Sequence, residues 1–316
     1  MSQNFLPPVS VVIPAYNEEL YIEQTLQSIL HSDYPEKSLE IIVVDNGSQD
    51  NTIKIAKNYC KKVLSLDEGN VGAVRNYGVK NSESDIIIFL DADCLVDKKW
   101  IQRGVNLLLK NKDTAFGGPY KTRENANWVE RLWLLENPKY PRVQPDLLGG
   151  CIFIYRDQFY SVNGFDEKMT AGEDSDLSDK LRNKNFKVKI ESSISVVHLG
   201  NPKSLKEFFK RQVWHSENYI RFLKNSVRDY TFWIVFLFII SITVSIIGIF
   251  TLSPIVVIYG LFSALILTCI LSLKRMILTK YLPKNAKDIL GIMTLDLAYL
   301  SARACGTIKP LLSKIF

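Results

Sequence analysis

Cysteine is scarce and unpatterned in this chain. Cys60, Cys94, Cys151, Cys269 and Cys305 show no paired spacing, so neither a zinc site nor a disulfide framework is indicated and a reducing compartment fits best. The N-terminus, MSQNFLPPVS, lacks a charged stretch followed by an apolar one, and no cleaved export signal is expected. The formal charge of +6 is modest and implies no nucleic-acid partner, because many of the Lys and Arg lie beside an apolar run where anionic headgroups would meet them. That run, Thr231 to Leu273, contains no charged residue at all. A hydrocarbon core takes roughly 20 apolar helical residues per crossing, and this run is about twice that.

The chain should therefore cross a membrane, turn near Thr251-Leu252-Ser253-Pro254 and return, with transmembrane helices at about 231–250 and 254–273. Arg221, Lys224 and Arg228 precede the pair, Lys274, Arg275 and Lys280 follow it, and the turn is uncharged. The positive-inside rule puts both flanks in the cytoplasm. A further apolar segment, about 288–308, carries Asp296 and Arg303; it either lies in the interface or crosses as a third helix. The division expected is a cytoplasmic domain over 1–228 and a membrane domain over 229–316, in a multi-pass protein of the cell membrane.

The first two hundred residues alternate short β-branched runs with helical spacing. Val9 to Ile13, Leu39 to Val44, Val63 to Leu66 and Ile86 to Leu90 read as strands; segments after Asn17, from Asp50 to Cys60 and from Val71 to Asn81 read as helices. Such alternation implies an α/β domain with a mainly parallel sheet and right-handed crossovers. Ligands of open α/β sheets gather beyond the carboxyl ends of the strands. That edge collects Pro14 to Glu18, Asp45 and the Asp91-Ala92-Asp93 triplet. On an extended chain Asp91 and Asp93 face one side, and two anions with only Ala92 between them suit a hard divalent cation, Mg²⁺ or Mn²⁺, bridged to a substrate diphosphate. The plainer alternative is that they cap a helix or open a turn.

The series VSVVIPAYNEE, IIVVDNGSQDNT, GNVGAVRNYGV, IIIFLDAD and NGFDE with AGEDSDLSDKLRNKNFKV resembles the inverting glycosyltransferases of family 2, which have the Rossmann-like GT-A fold of nucleotide-diphospho-sugar transferases. Five strings in order, from about Val9 to His198, make a joint signal that none carries alone. The resemblance implies a donor site formed by Pro14, Ala15, Tyr16, Glu18, Asp45, Arg75, Asp91, Ala92 and Asp93. Asp45 would accept a hydrogen bond from the base, which suits an acceptor-only carboxylate; the first place in the turn Asp-Asn-Gly-Ser explains it equally. Arg75 would lie along the donor with its fork of N–H groups. Asp93 would hold the metal directly, Asp91 would sit nearer the ribose, and His198 is either a further metal or phosphate contact or a structural histidine.

By the same resemblance Asp174 is the general base that deprotonates the acceptor hydroxyl. Glu173 binds acceptor hydroxyls, and Gly149 with Gly150 brings backbone close to acceptor and donor sugar. Asp50 and Asp176 read as capping residues, the second ahead of a helix from Leu177 to Asn183, and Cys151 to Tyr155, after Gly149-Gly150, reads as a strand. Trp128, Leu132, Trp133 and Leu135 mark an amphipathic helix whose default role is packing. Arg211 and Trp214 stand where processive members carry Gln-x-x-Arg-Trp, but Gln212 is out of order. Single transfer is therefore favoured over chain extension, with a diphosphate contact left to Arg211 and Trp214. The activity implied is metal-dependent, inverting transfer of one sugar, from a UDP-sugar by preference, to a lipid-linked or glycan acceptor at the membrane. A polyprenyl-phosphate acceptor is a variant that needs no base. A sugar-1-phosphate nucleotidyltransferase would want a glycine-rich, basic loop after its first strand, where PAYNEE is acidic, and a catalytically silent scaffold would not need the full set of acids.

Overall fold

The computed structural model describes residues 6–137, 145–216, 219, 226, 227 and 230–312; Arg221, Lys224 and Arg228 lie outside them. The chain forms two compact units, Met1–Arg123 with Val143–Gly200, and Glu124–Arg142 with Asn201–Phe316.

In the first unit β1 (Val9–Ala15), β2 (Leu39–Asp45), β3 (Lys62–Ser65) and β4 (Ile86–Leu90) run parallel. Helices Ile22–Leu30, Thr52–Tyr59 and Val71–Lys80 connect them. Two short strands, β5 (Cys94–Leu95) and β7 (Tyr120–Lys121), flank β6 (Thr114–Gly117) in the chain, and β8 (Cys151–Tyr155), β9 (Lys187–Ile190) and β10 (Val196–His198) follow. The main sheet has the order β3-β2-β1-β4-β8-β6-β9. Only β8 runs antiparallel to its neighbours, inserted between β4 and β6.

The continuous apolar runs follow from burial on both faces, since successive side chains of a strand point to opposite sides. Val9, Val11, Ile13, Ile86, Ile88 and Leu90 pack with Ile22, Leu26, Ile29 and Trp100 on one face. Val12, Ile87 and Phe89 pack with Phe159, Phe165, Leu177 and Leu181 on the other. At Gly78 the helix Val71–Lys80 lies so close to β1 that a Cβ would come within 2.3 Å of Val12 Cγ1.

Several expected boundaries shift, most of them by one or two residues. The third strand is Lys62–Ser65 rather than Val63 to Leu66. The helix read from Leu177 to Asn183 begins at Glu173, after Gly172 in the left-handed region (φ 83°), so Glu173 and Asp174 occupy its first turn instead of preceding it. Acids are favourable there because they meet free N–H groups and the positive end of the helix dipole.

In the second unit, Tyr230–Phe250, Pro254–Thr279 and Ala286–Lys309 are helices long and apolar enough to cross a membrane. The first two pack through small residues: Ser263 Oγ donates to Ser241 Oγ at 2.6 Å and Ser245 Oγ to the Val257 carbonyl at 3.2 Å. The second continues past Leu273 to Thr279 because Arg275 turns inward, pairing with the fully buried Asp296 and donating to the carbonyls of Leu132 and Trp133 at 3.1 and 2.6 Å. Ser272 Oγ adds a 2.7 Å bond to Asp296, and Arg303 donates to Gln212 Oε1 and the Tyr219 hydroxyl. Asp296 and Arg303 are thus satisfied within the protein, as an apolar surrounding demands. The helix Trp128–Leu134 packs Val129 and Leu132 into this core.

Candidate active site

β1 and β2 end in register, Ala15 beside Asp45, because parallel strands place their carboxyl ends on one edge. The loop after β1 turns at Asn17 in the left-handed region (φ 55°), and is fastened to the loop after β2. The Asn17 N–H donates to Ser48 Oγ at 2.9 Å, its side-chain carbonyl accepts from the Gln49 N–H at 2.8 Å, and the Glu18 N–H donates to Thr52 Oγ1 at 2.7 Å. Pro14 and Ala15 close the strand, and Tyr16 stands out at 57% exposure. Asp45 is buried; Oδ2 accepts from the Gly47 and Ser48 N–H groups at 3.0 Å each, which is the expected turn. Its Oδ1 has no hydrogen-bond partner among the described residues. An unmet buried acceptor costs about 1–3 kcal/mol, a cost that a ligand's N–H would offset. Asp50 stands one place before Asn51, the N-cap of the helix Thr52–Tyr59, and its Oδ1 accepts from the Thr52 N–H at 2.9 Å.

Past β4 the chain turns through Asp91, Ala92 and Asp93, and the Ala92 carbonyl is pinned by Thr25 Oγ1 at 2.7 Å. β5 then joins a three-stranded sheet of order β5-β10-β7, with His198 opposite Cys94 and Val196 opposite Tyr120. This small sheet assembles the site. Ligand atoms of Asp91, Asp93, Cys94 and His198 lie within 4.8 Å of one another, and His198 Nε2 stands 3.5 Å from Asp93 Oδ2. The Asp93 carboxylate fits against the backbone at Gly200, where a Cβ would meet Oδ2 at 2.0 Å. Two carboxylates and an imidazole suit Mg²⁺ or Mn²⁺. Cys94 is the odd member: its S–H donates to Asp93 Oδ1 at 3.8 Å, and burial, with Asp93 and Asp91 nearby, pushes the thiol well above its ordinary range.

Arg75 is 3% exposed and its fork is occupied: Nη2 reaches Asp91 Oδ1 at 2.8 Å and Nη1 reaches Glu173 Oε1 at 2.7 Å. These carboxylates hold it firmly charged against the opposing effect of burial. Arg75 thus bridges the carboxylate after β4 to the first turn of the helix Glu173–Asn183. Removing one partner of a buried ion pair typically costs roughly 3–5 kcal/mol. Arg75→Met should accordingly lower the thermal midpoint of the metal-free protein, read by tryptophan fluorescence; an unchanged midpoint would show that the bridge contributes no stability.

Asp174 is held beside this bridge. Its Oδ2 accepts from the Gly149 N–H at 3.2 Å and its Oδ1 from the Ser175 N–H at 2.8 Å. Desolvation, then the neighbouring Glu173 charge, push the carboxyl up to about 6, against the opposing pull of Arg75 and the two N–H groups. Gly149 and Gly150 have no room for a side chain: a Cβ would meet Arg75 Nη2 at 2.5 Å at the first and Asp91 Oδ2 at 2.4 Å at the second. Asp176, expected to cap, lies inside the helix because Gly172 is the N-cap, and pairs with Lys180 at 2.7 Å.

The first unit therefore brings together Asp91, Asp93, His198, Arg75, Gly149, Gly150, Glu173 and Asp174, and sets Pro14 to Glu18 and Asp45 on the same sheet edge. Arg211 and Trp214 belong to the second unit, on the helix Leu205–Ser216. Tyr120 and Gly200 belong to the cluster without having been anticipated. Tyr120 O–H meets Asp91 Oδ2 at 3.3 Å, and burial, then Asp91, keep the phenol protonated by raising it well above its usual range.

Residues 10–163 match the family described as glycosyl transferase family 2, and residues 132–206 match the N-terminal domain of galactosyltransferase. Glycosyltransferase AglE of Haloferax volcanii is 40% identical over 119 residues, which are 36% of this chain and 39% of that protein. An uncharacterized glycosyltransferase of Rickettsia typhi is 31% identical over 193 residues, 56% of this chain and 59% of that protein. The chain thus spans between about two fifths and three fifths of these relatives' length. In fold, it is similar to a mannosyltransferase from Pyrobaculum calidifontis solved with GDP-Man and Mn²⁺, with a TM-score of 0.61 at 17% identity, covering 96% of this chain and 88% of that one. The GT-A architecture expected from the sequence is the one found.

Proposed function

From a chain that carries a glycosyl transferase family 2 domain, we propose a membrane-bound, metal-dependent, inverting enzyme that moves one sugar from a nucleotide diphosphate, UDP by preference, to a lipid-linked acceptor in surface polysaccharide or glycolipid synthesis. The observation that carries this reading is the joining of Asp174 to the Asp91 cluster through Gly149, Gly150 and Arg75. A base and a site for the leaving diphosphate must flank one sugar for displacement with inversion.

In this reading Asp91, Asp93 and His198 hold Mg²⁺ or Mn²⁺, which when bound supplies Lewis-acid stabilisation of the departing diphosphate. Asp45 Oδ1, a buried acceptor with no partner among the described residues, takes a hydrogen bond from an N–H on the edge of the base. The loop Pro14 to Glu18, with Tyr16 exposed, borders base and ribose. Arg75 fixes the orientation of Asp91 and Glu173. Asp174 takes the proton from the acceptor hydroxyl as that oxygen attacks the anomeric carbon from the face opposite the leaving group. Gly149, Gly150 and Glu173 shape the acceptor side, and the apolar helices keep the enzyme at the cytoplasmic face of the cell membrane.

The test is a panel of nucleotide sugars offered to the detergent-purified protein with and without EDTA, following slow donor hydrolysis. UDP-sugars should be cleaved faster than the other nucleotide sugars, with EDTA removing the signal. Asp45→Ala should weaken UDP binding by isothermal titration while leaving Mn²⁺ binding in place. Cleavage of ADP-sugars at the UDP rate would remove the role given to Asp45, and EDTA-resistant hydrolysis would remove the metal.

A further inference from the structure

We propose that Tyr120 is a positioning residue that couples the metal side of the site to the base side, an inference that rests on the glycosyl-transfer reading above. The Gly150 N–H donates to the Tyr120 hydroxyl at 3.1 Å, and that oxygen, already accepting, directs its own proton to Asp91 Oδ2 at 3.3 Å. Arg75 Nη2 holds the other oxygen of Asp91 at 2.8 Å, so the carboxylate is clamped from two directions and cannot rotate without breaking one bond. One residue earlier, the Gly149 N–H donates to Asp174 Oδ2 at 3.2 Å. Two consecutive peptides therefore serve the two halves of the site: Gly149 holds the base, and Gly150 holds the phenol that holds Asp91.

Tyr120 is placed for this by the small sheet. β7 pairs with β10 at Tyr120 and Val196, and β10 pairs with β5 at His198 and Cys94. The Tyr120 ring consequently packs against the His198 ring, with centroids 4.8 Å apart, and touches a second candidate ligand by its face while its hydroxyl serves the first. A Cβ at residue 150 would come within 2.6 Å of the hydroxyl and 2.4 Å of Asp91 Oδ2; glycine is what permits the three groups to meet. Partners that orient metal ligands typically matter by 10–100-fold in metal affinity or activity.

Tyr120→Phe removes only the hydroxyl and keeps the ring against His198. Manganese binding is read by electron paramagnetic resonance and turnover is read separately at saturating Mn²⁺. The variant should bind Mn²⁺ on the order of 10-fold more weakly, and its kcat should stay below wild type when Mn²⁺ is saturating, with the donor KM little changed. A deficit that excess metal does not restore, and that disappears in the Asp174→Asn background, is the signature of coupling to Asp174; a residue serving the metal alone would lower kcat equally in both backgrounds. Should Tyr120→Phe show no thermal transition, Gly150→Ala disturbs the same three groups from the other side and should give the same pair of effects. Wild-type affinity and kcat in the folded variant would overturn the coupling and leave the glycosyl-transfer reading intact. A wild-type protein that binds no Mn²⁺ would overturn both.

Discussion

Asp174→Asn should lower kcat by roughly 10²–10⁴, the range that a positioned general base contributes, while leaving Mn²⁺ and nucleotide binding unchanged by isothermal titration. The amide keeps the shape and accepts from the Gly149 N–H through its carbonyl, but its NH2 replaces the oxygen that accepts from the Ser175 N–H at 2.8 Å, so the thermal midpoint is read beside kcat to separate the lost bond from the lost basic oxygen. The wild-type pH profile is a second readout. With the carboxyl pushed up to about 6 by desolvation and then by Glu173, the reactive carboxylate is the form that accumulates as pH rises. Turnover on the acceptor should fall about tenfold per pH unit below that value and level off above it. The same shift acts on stability in the opposite direction. An unfolded Asp ionises near roughly 3.9, so this group's stabilising contribution is present below that pH and lost as pH rises through about 6. Activity thus appears in the window where the site loses folding free energy. Full turnover by Asp174→Asn would remove the base and favour an acceptor that is already anionic, such as a polyprenyl phosphate, which needs no deprotonation.

How much of this was readable from residues alone depends on the range of the interaction. Ile86 to Leu90 and Cys151 to Tyr155 were delimited to the residue, because a strand buried on both faces announces itself as an unbroken apolar run. The acids after β4 were equally visible, since a strand end is a local feature and the ligand edge follows from parallel pairing. Tyr120 and Gly200 were not. They enter through a sheet whose strands β5, β7 and β10 are two or three residues long, too short to carry a period of two, and whose pairings join stretches far apart in the chain. Arg75 marks the boundary between the two cases. Its place in the cluster was anticipated, but enclosure between Asp91 and Glu173 depends on partners 16 and 98 positions away, and nothing in the string GNVGAVRNYGV encodes which of a guanidinium's possible partners it meets. The start of the helix at Glu173 was missed for a local reason: three acids in one turn lack the apolar spacing that marked Leu177 onward.

Asp93→Asn should abolish both Mn²⁺ binding and EDTA-sensitive donor hydrolysis, and it is the substitution that separates the metal from the scaffold. Asp91 is a poor probe, because its oxygens are engaged by Arg75 and Tyr120; neutralising it would leave Arg75 with Glu173 alone and mix a stability loss into any activity loss. Asp93 makes no ion pair with Arg75. It faces His198 Nε2 at 3.5 Å and lies against Gly200, so the amide fills the same space and removes one negative charge from the cation's surroundings. Disturbing the partners of a metal ligand already costs 10–100-fold in metal affinity, and loss of the ligand's own charge should exceed that. The thermal midpoint in EDTA should match wild type, whereas the rise in midpoint on adding Mn²⁺ with UDP, expected for wild type from ligand binding to the folded state alone, should vanish. A variant that keeps that rise and hydrolyses the donor at the wild-type rate would show that the cation is held elsewhere, and the roles given to Asp91 and His198 would go with it.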